Sequence, residues 1–207
     1  MGKLVDYAEA HRILSKYGIN SARSAYIESA SDAIKFSAGE PIVMKVISQQ
    51  ALHKSKNGLV KLRLYTAKDI SSAFSELRDS ARKLKLDKYK ILVQEMVAEG
   101  VEIIVGGSVD PQFGKMILLG LGGIYVEIFR DVALRVCPIG EYDAESMIHQ
   151  LRSSNVIAPD KKADAKVKSI LLKVSKMLAE NEILELDLNP IILTRAGYAA
   201  VDLRIIK

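Results

Sequence analysis

The sequence predicts an α+β or mixed α/β protein with antiparallel sheets in two lobes. Some segments repeat apolar residues at helical spacing, whereas others alternate or run continuously apolar as strands do. Neighbouring strand segments that resemble hairpins outnumber strict strand–helix–strand alternation. We place the lobe boundary near Ala98–Gly100, so that residues 1–99 form an N-terminal helix and the small lobe and residues 100–207 form the large lobe.

Capping signals mark the first three predicted helices. The pairs Asp6 with Glu9, Ser29 with Asp32 and Thr66 with Asp69 each have the spacing of a capping box. Gly18 is expected to end the first helix. A fourth helix is predicted from Asp143 to about Ser153. A fifth, long helix carries its apolar face at Val167, Ile170, Leu171, Val174 and Leu178.

The remaining apolar segments are predicted to be strands. In order, they are 41–48, 59–65, 90–97, 101–109, 115–123, 132–139, 183–193 and 198–206. Pro41 opens the first of these, a position that a strand tolerates.

Composition narrows the class of protein. With 49% hydrophobic and 27% charged residues, the chain is typical of soluble globular proteins. No apolar run approaches the roughly 20 residues that span a bilayer. The N-terminus continues directly into a helical pattern without a signal-peptide segment. The single cysteine, Cys137, cannot form an internal disulfide. From these features together, we expect a cytoplasmic protein with no membrane partner.

A net charge of +5 does not indicate nucleic acid. The basic residues are spread along the chain, aromatics make up only 6% and tryptophan is absent, so a base-stacking surface has little material. Small anionic ligands such as nucleotides or phosphates account for the charge equally well. We therefore expect no nucleic-acid partner.

The segment ILELDLNP, residues 183–190, combines apolar and oxygen-bearing side chains. Leucines at 184, 186 and 188 alternate with Glu185, Asp187 and Asn189, whose side chains would follow one face at steps of about 6.6 Å. Carboxylate and amide oxygens in a row suit Mg²⁺, and Asp202 in the next strand could face the same ion. The alternative is a half-exposed antiparallel strand whose solvent face is acidic.

Lys45 lies in the middle of the apolar strand IVMKVI. Burying a lysine there is costly unless an anion meets it, and a phosphate is a natural partner. An edge strand, or a side chain that reaches solvent along its stem, would also explain it.

Two further segments are weaker indications of an anion site. The glycines of GLGG, 120–123, would let backbone N–H groups approach an anion, but neither a P-loop nor a dinucleotide-binding motif is present. His53 follows a strand and precedes Lys54, Lys56 and Gly58. A neutral imidazole can accept a phosphoryl group, and the nearby cations would offset its charge, although a lone histidine is more often structural.

In this order, the segments resemble the ATP-grasp β subunit of the ADP-forming acyl-CoA synthetases. This is the archaeal acetate–CoA ligase family, which is related to succinyl-CoA synthetase. The resemblance covers nearly the whole chain. It is carried by Lys45 in its strand, HKSKNGLVKL, LVQEMV, the run from VEIIVGGSVDPQFG through GLGG to VALRVCPI, and ELDLNPIIL with VDLRI.

The resemblance implies an ATP-grasp fold in which ATP lies between the two lobes. Lys45 would hold the phosphates, and Glu102 would line the nucleotide site. The backbone of Gln94, Glu95 and Met96 would take the adenine.

The resemblance also implies a metal site and a phosphoryl carrier. Asn189 and Asp202 would hold Mg²⁺, with Asp187 beside them to steady a phosphohistidine. His53 would accept a phosphoryl group from a phosphohistidine on a separate α subunit and pass it to ADP. We expect the CoA-binding chemistry to lie on that α subunit, in an α₂β₂ assembly.

The loop around His53 departs from the family pattern. The family reads H-K-S/T-D/E-V-G-G-V, whereas this chain reads HKSKNGLV, with Lys56, Asn57 and Leu59 at the changed positions. Two alternatives to a synthetase subunit remain: an ATP-grasp carboxylate–amine ligase, and a non-catalytic nucleotide-binding or scaffolding subunit, which the altered loop favours.

Overall fold

The computed structural model describes residues 2–48, 58–122 and 131–207. Backbone contacts divide the chain into a small unit, Ala22–Met96, and a large unit, Met1–Ser21 with Val97–Lys207. Within the part that is described, no helix is long and apolar enough to cross a membrane.

The helices and strands follow one another along the chain with these bounds. They are α1 Tyr7–Lys16, β1 Ser24–Ile27, α2 Ala30–Ser37, β2 Ile42–Ile47, β3 Val60–Leu64, α3 Ala67–Lys83, β4 Lys90–Glu95, β5 Val101–Asp110, β6 Gly114–Leu121, β7 Val132–Val136, α4 Glu141–Gln150, α5 Ser154–Ile157, α6 Lys161–Glu180, β8 Glu185–Leu193, β9 Tyr198–Ala200 and β10 Leu203–Ile206.

The small unit is built on a four-stranded antiparallel sheet in the order β1–β4–β2–β3. Strand β2 is therefore interior, which explains why its apolar residues are almost entirely buried. One face of the sheet packs on α2 and α3. The core on that face contains Ala33, Ile42, Met44, Val46, Ile70, Phe74, Leu77, Ile91 and Val93.

The large unit is built on a six-stranded antiparallel sheet. Its order is β10–β8–β5–β6–β7, and β9 also pairs with β8. The long helix α6 packs on β5 and β6. All five apolar positions predicted for α6 are buried. The predicted α+β class with antiparallel sheets is confirmed.

The helix starts follow from capping chemistry. Capping boxes at Ser29 and Thr66 open α2 and α3 as predicted. Asp6 caps α1 by accepting from the Ala8 N–H at 3.0 Å. Helix α4 begins at Glu141, two residues earlier than predicted, because Asp143 lies inside its first turn and accepts from the Gly140 N–H at 2.9 Å.

Three features differ from the sequence prediction. Residues 1–21 belong to the large unit and not to the small lobe, because Leu4 bridges Ile206 and α1 packs on β10. Strand β1 was not predicted, since its four residues carry little pattern of their own. The last predicted strand is two strands, β9 and β10, separated by Val201 and Asp202.

Candidate functional site

The two predicted metal ligands are neighbours in the large unit. Strands β8 and β10 pair antiparallel with Leu188 opposite Leu203. One step further along the ladder, the Asn189 N–H donates to the Asp202 carbonyl at 3.2 Å. The fold therefore makes Asn189 and Asp202, two residues with oxygen-bearing side chains, neighbours through a main-chain hydrogen bond.

Asn189 lies at a break in the strand register. Ile103 of β5 is opposite Ile191 and Val105 is opposite Leu188, so β8 carries one more residue than β5 in this stretch. The extra residue lies in the Asn189–Pro190 stretch. Such a bulge redirects side chains and is common beside active sites. It separates Asn189 from the regular alternation of the strand.

Asp187 lies two residues before Asn189 on the same strand. It is half-buried, opposite Gly106 of β5 on one side and Arg204 of β10 on the other. Leu186 and Leu188 face the core as predicted. Leu184, by contrast, is 44% exposed and precedes the strand, so the predicted alternation begins one leucine later.

The donor set at Asn189 and Asp202 is compatible with Mg²⁺. Mg²⁺ keeps several waters and is typically bound by one or two carboxylates together with substrate phosphates, so one carboxylate and one amide oxygen are sufficient. The Leu203 N–H donates to Asp202 Oδ1 at 3.2 Å and orients that carboxylate. The described ranges contain no cluster of three or more His, Cys, Asp or Glu suited to a metal, so phosphate oxygens and water would supply the remaining ligands here.

Glu102 and the predicted glycine cluster meet at the end of β6. Glu102 is exposed, and its carbonyl accepts from the Gly122 N–H at 2.7 Å. A Cβ on Gly122 would lie 2.9 Å from the Glu102 backbone, and one on Gly120 would lie 3.1 Å from the Asp131 carbonyl. The close approach of neighbouring backbone accounts for both glycines. Gly123 lies outside the described residues.

In the small unit, Lys45 and Gln94 are deeply buried. Lys45 is 6% exposed on the interior strand β2, between Leu92 of β4 and Val60 of β3. Gln94 is 1% exposed on β4. Because alternate residues of both strands pack on α2 and α3, Lys45 and Gln94 share the opposite face of the sheet. A buried ammonium is stable only with anionic or polar partners, so this face is suited to an anion.

Glu95 and Met96, at the end of β4, are held from two sides. The Glu95 N–H donates to the Arg23 carbonyl at 2.9 Å, and the Met96 N–H donates to the Pro41 carbonyl at 3.2 Å. The Glu95 carboxylate in turn accepts from the Arg23 N–H at 2.8 Å. Arg23 was missed by sequence reasoning, because its partner is distant along the chain and no motif connects them.

His53 lies outside the described residues, as do Lys54 and Lys56. The described structure resumes at Gly58, which has a φ of +66°. Leu59 is fully buried, and its carbonyl accepts from the Val46 N–H at 2.9 Å. Val60 then pairs with Lys45. The described chain therefore resumes two residues before Val60, the partner of the buried lysine.

Comparison with known proteins identifies the family of the chain. The model of the ATP-grasp domain family matches residues 2–206. The acetate–CoA ligase [ADP-forming] II subunit beta of Pyrococcus furiosus is 37% identical over 98% of this chain and 91% of its own length. The acetate–CoA ligase [ADP-forming] I of Archaeoglobus fulgidus is 38% identical over 96% of this chain, which spans only 30% of that relative.

A solved structure provides a third comparison. It is the Ca. Korarchaeum cryptofilum dinucleotide forming acetyl-coenzyme A synthetase 1 with coenzyme A and Mg-AMPPCP, its phosphohistidine segment pointing towards the nucleotide binding site. It superposes with a TM-score of 0.83 at 37% identity, covering 99% of this chain and 92% of that one. The chain belongs to the ATP-grasp family and, within it, to the group that includes the β subunits of the ADP-forming acetate–CoA ligases.

Proposed function

We propose that this chain is the nucleotide-binding β subunit of an ADP-forming acyl-CoA synthetase. It transfers a phosphoryl group between His53 and ADP or ATP, together with a separate subunit that binds CoA. The observation that carries the proposal is the contact of Asn189 with Asp202 across β8 and β10. This main-chain hydrogen bond makes neighbours of two residues whose side-chain oxygens suit a hard cation, in a chain whose relatives are acetate–CoA ligases.

The small unit supplies the groups that bind the nucleotide. The Lys45 ammonium pairs with its phosphates, and burial strengthens that attraction because little water screens it. The backbone of Gln94, Glu95 and Met96 contacts the adenine. Glu102 also lines the nucleotide site.

Asn189 and Asp202 hold Mg²⁺, which when bound neutralises charge on the phosphate oxygens. Asp187, on the same strand, accepts a hydrogen bond from the imidazole of the phosphohistidine and fixes the orientation of the ring. Its half-buried position between Gly106 and Arg204 supports this role.

His53 carries the phosphoryl group. In the direction of ATP cleavage, an imidazole nitrogen of His53 attacks the γ-phosphorus. An N–P bond forms as the bond between the γ-phosphorus and the bridging oxygen breaks, and ADP leaves with that electron pair. Lys45 offsets the negative charge that accumulates on the transferring group. The reverse step returns the phosphoryl group to ADP.

A second subunit completes the reaction. The Archaeoglobus fulgidus relative is about three times as long as the part that this chain matches, and the Korarchaeum structure contains coenzyme A. We assign CoA binding and acyl-phosphate formation to an α subunit, in an assembly of two copies of each chain. Co-purification with that subunit and a measured mass of two α and two β chains is the expected result.

Phosphoryl labelling tests the relay directly. The full chain is incubated with Mg²⁺ and [γ-³²P]ATP, and the label is characterised by its stability in acid and base. A phosphohistidine is acid-labile and base-stable. We expect such a label on the wild type, its return to ATP on addition of ADP, and its loss in His53→Ala. The matched control is His149→Ala, a mostly exposed histidine of α4 that should retain the label.

The result separates the relay from its alternative. Binding of ATP with no label on any variant would overturn the relay and favour a non-catalytic nucleotide-binding subunit, which the changed residues Lys56 and Asn57 would then explain. Label that persists in His53→Ala would assign the carrier to another residue.

A further inference from the structure

Arg23 and Glu95 contact each other where β1 begins and β4 ends. The two strands pair antiparallel with Ser24 opposite Gln94, so Arg23 and Glu95 are the next pair along the ladder. The Glu95 N–H donates to the Arg23 carbonyl at 2.9 Å, which is an ordinary ladder hydrogen bond.

The return bond of this pair is unusual. Two residues that form a hydrogen-bonded pair exchange both N–H···O=C bonds, so the Arg23 N–H should donate to the Glu95 carbonyl. It donates instead to Glu95 Oε1, at 2.8 Å. The side-chain carboxylate has therefore taken the place of the main-chain carbonyl at the last residue of β4.

This exchange releases a main-chain acceptor. In a strand, the N–H and C=O of one residue point to the same side, so the Glu95 carbonyl points toward the β1 edge without the Arg23 N–H. Glu95 belongs to the segment assigned to adenine under the proposed function, on which this inference rests. The 6-amino group of adenine is a donor, whereas the 6-oxo group of guanine or hypoxanthine is an acceptor.

We propose that Arg23 and the Glu95 side chain select the purine base. By occupying the Arg23 N–H, the Glu95 carboxylate leaves its own carbonyl to accept from a 6-amino purine and to repel a 6-oxo purine. Both side chains are positioning groups, since the base meets only the carbonyl. The chain thus prefers ATP to GTP or ITP without a side-chain contact to the base.

The Arg23 side chain holds the carboxylate in place. Its Nε lies 3.7 Å from Glu95 Oε2, and one terminal nitrogen donates to the Phe36 carbonyl at 3.3 Å. The guanidinium also stacks on the Phe36 ring, 4.0 Å from the ring centroid. These contacts fix both side chains even though each is about half exposed.

The test compares the dissociation constants of ATP and ITP, which carry a 6-amino and a 6-oxo group, for the full chain with Mg²⁺ by titration calorimetry. One hydrogen bond gained and one repulsion avoided correspond to about tenfold preference for ATP. In Glu95→Ala the Arg23 N–H can close onto the carbonyl, so the preference should fall to about threefold or less. Glu95→Gln, whose amide oxygen can still accept, should retain it.

A double variant makes the test specific to the Arg23 N–H. Replacing Arg23 by proline removes that N–H at the start of an edge strand, where proline is tolerated. Arg23→Pro combined with Glu95→Ala should therefore regain the tenfold preference that Glu95→Ala alone loses. Glu28→Ala, an exposed glutamate just beyond the other end of β1, is the control and should behave as wild type.

The outcomes separate this inference from the proposed function. Failure of the wild type to bind ATP at all would overturn the proposed function itself. Base selection alone would be overturned if Glu95→Ala still binds ATP and keeps the wild-type ratio of the ATP and ITP dissociation constants. Equal weakening of the binding of both nucleotides has the same meaning, because a purely structural loss affects both alike.

Discussion

The side chain of Leu59 contributes to the hydrophobic core of the small unit. It is fully buried in the core of the small unit, next to the segment that carries His53. We therefore expect Leu59→Ala to destabilise the protein strongly. The effect comes from a cavity that opens against the core and not from any loss of loop mobility.

The size of the effect follows from burial. Replacing a buried leucine by alanine costs about 2–5 kcal/mol, and full burial without solvent access places Leu59 near the middle of that range, at about 3 kcal/mol. In a chain of 207 residues, each kcal/mol lowers Tm by about 2–4 °C, so a fall of about 6–12 °C is expected. Leu62, on β3 only three residues later, is 63% exposed and provides a matched control. Leu62→Ala should change stability by no more than about 0.5 kcal/mol.

Urea unfolding monitored by far-UV circular dichroism measures both variants under one condition. The midpoint should fall for Leu59→Ala with an unchanged slope, and it should stay constant for Leu62→Ala. A loss below about 1 kcal/mol in Leu59→Ala, or equal losses in the two variants, would refute the assignment of Leu59 to the core.

Two further predictions concern Gly122, which follows the end of β6, and Asp131, whose carbonyl lies beside Gly120. Gly122→Ala places a Cβ 2.9 Å from the Glu102 backbone and should cost about 1–3 kcal/mol, whereas Gly106→Ala has at least 3.6 Å to its neighbours and should be nearly neutral; equal urea midpoints would contradict this. Burial raises the pKa of Asp131, but hydrogen bonds from the N–H groups of Arg152 and Ser153, at 3.0 and 2.8 Å, outweigh it and leave the pKa below its ordinary value. A lowered folded-state pKa stabilises above the unfolded pKa of about 3.9, and that stability is lost as the pH falls through the folded value. Asp131→Asn should therefore be about 1 kcal/mol less stable at pH 7, with the difference from wild type narrowing below about pH 4; a difference independent of pH would contradict it.

Local signals predicted most of the secondary structure. The capping boxes at Ser29 and Thr66 and the apolar face of α6 depend only on residues within a few turns of each other. Strand β1 and the placement of α1 depend on distant partners: β1 pairs with β4, and Leu4 bridges Ile206. No periodicity in a four-residue segment reveals such a partner, so these two features required the fold.

The candidate site divides in the same way. Lys45, Asp187 and Asn189 could be proposed as site residues from the sequence, because charged or amide side chains interrupt the apolar pattern of IVMKVI and ELDLNP. The contact of Arg23 with Glu95 left no such signal. The contact is made by the main-chain N–H of Arg23, and an arginine is common on protein surfaces. Only the register of β1 against β4 brings the two residues together.

The bulge in β8 shows where the alternation of the sequence stops predicting which side chains are buried. Strict alternation from Leu186 and Leu188 would bury position 190 and expose position 191, yet Ile191 and Leu193 are both buried. The buried positions therefore change phase between Leu188 and Ile191, within the stretch that contains Asn189 and Pro190. One extra residue moves the buried positions to the alternate residues without breaking the strand. Proline is tolerated there because its missing N–H is not needed for a hydrogen bond to the next strand. The prediction of one regular strand over 183–193 did not include this phase change, which places the exposed Asn189 one step along the ladder from the Leu188–Leu203 pair.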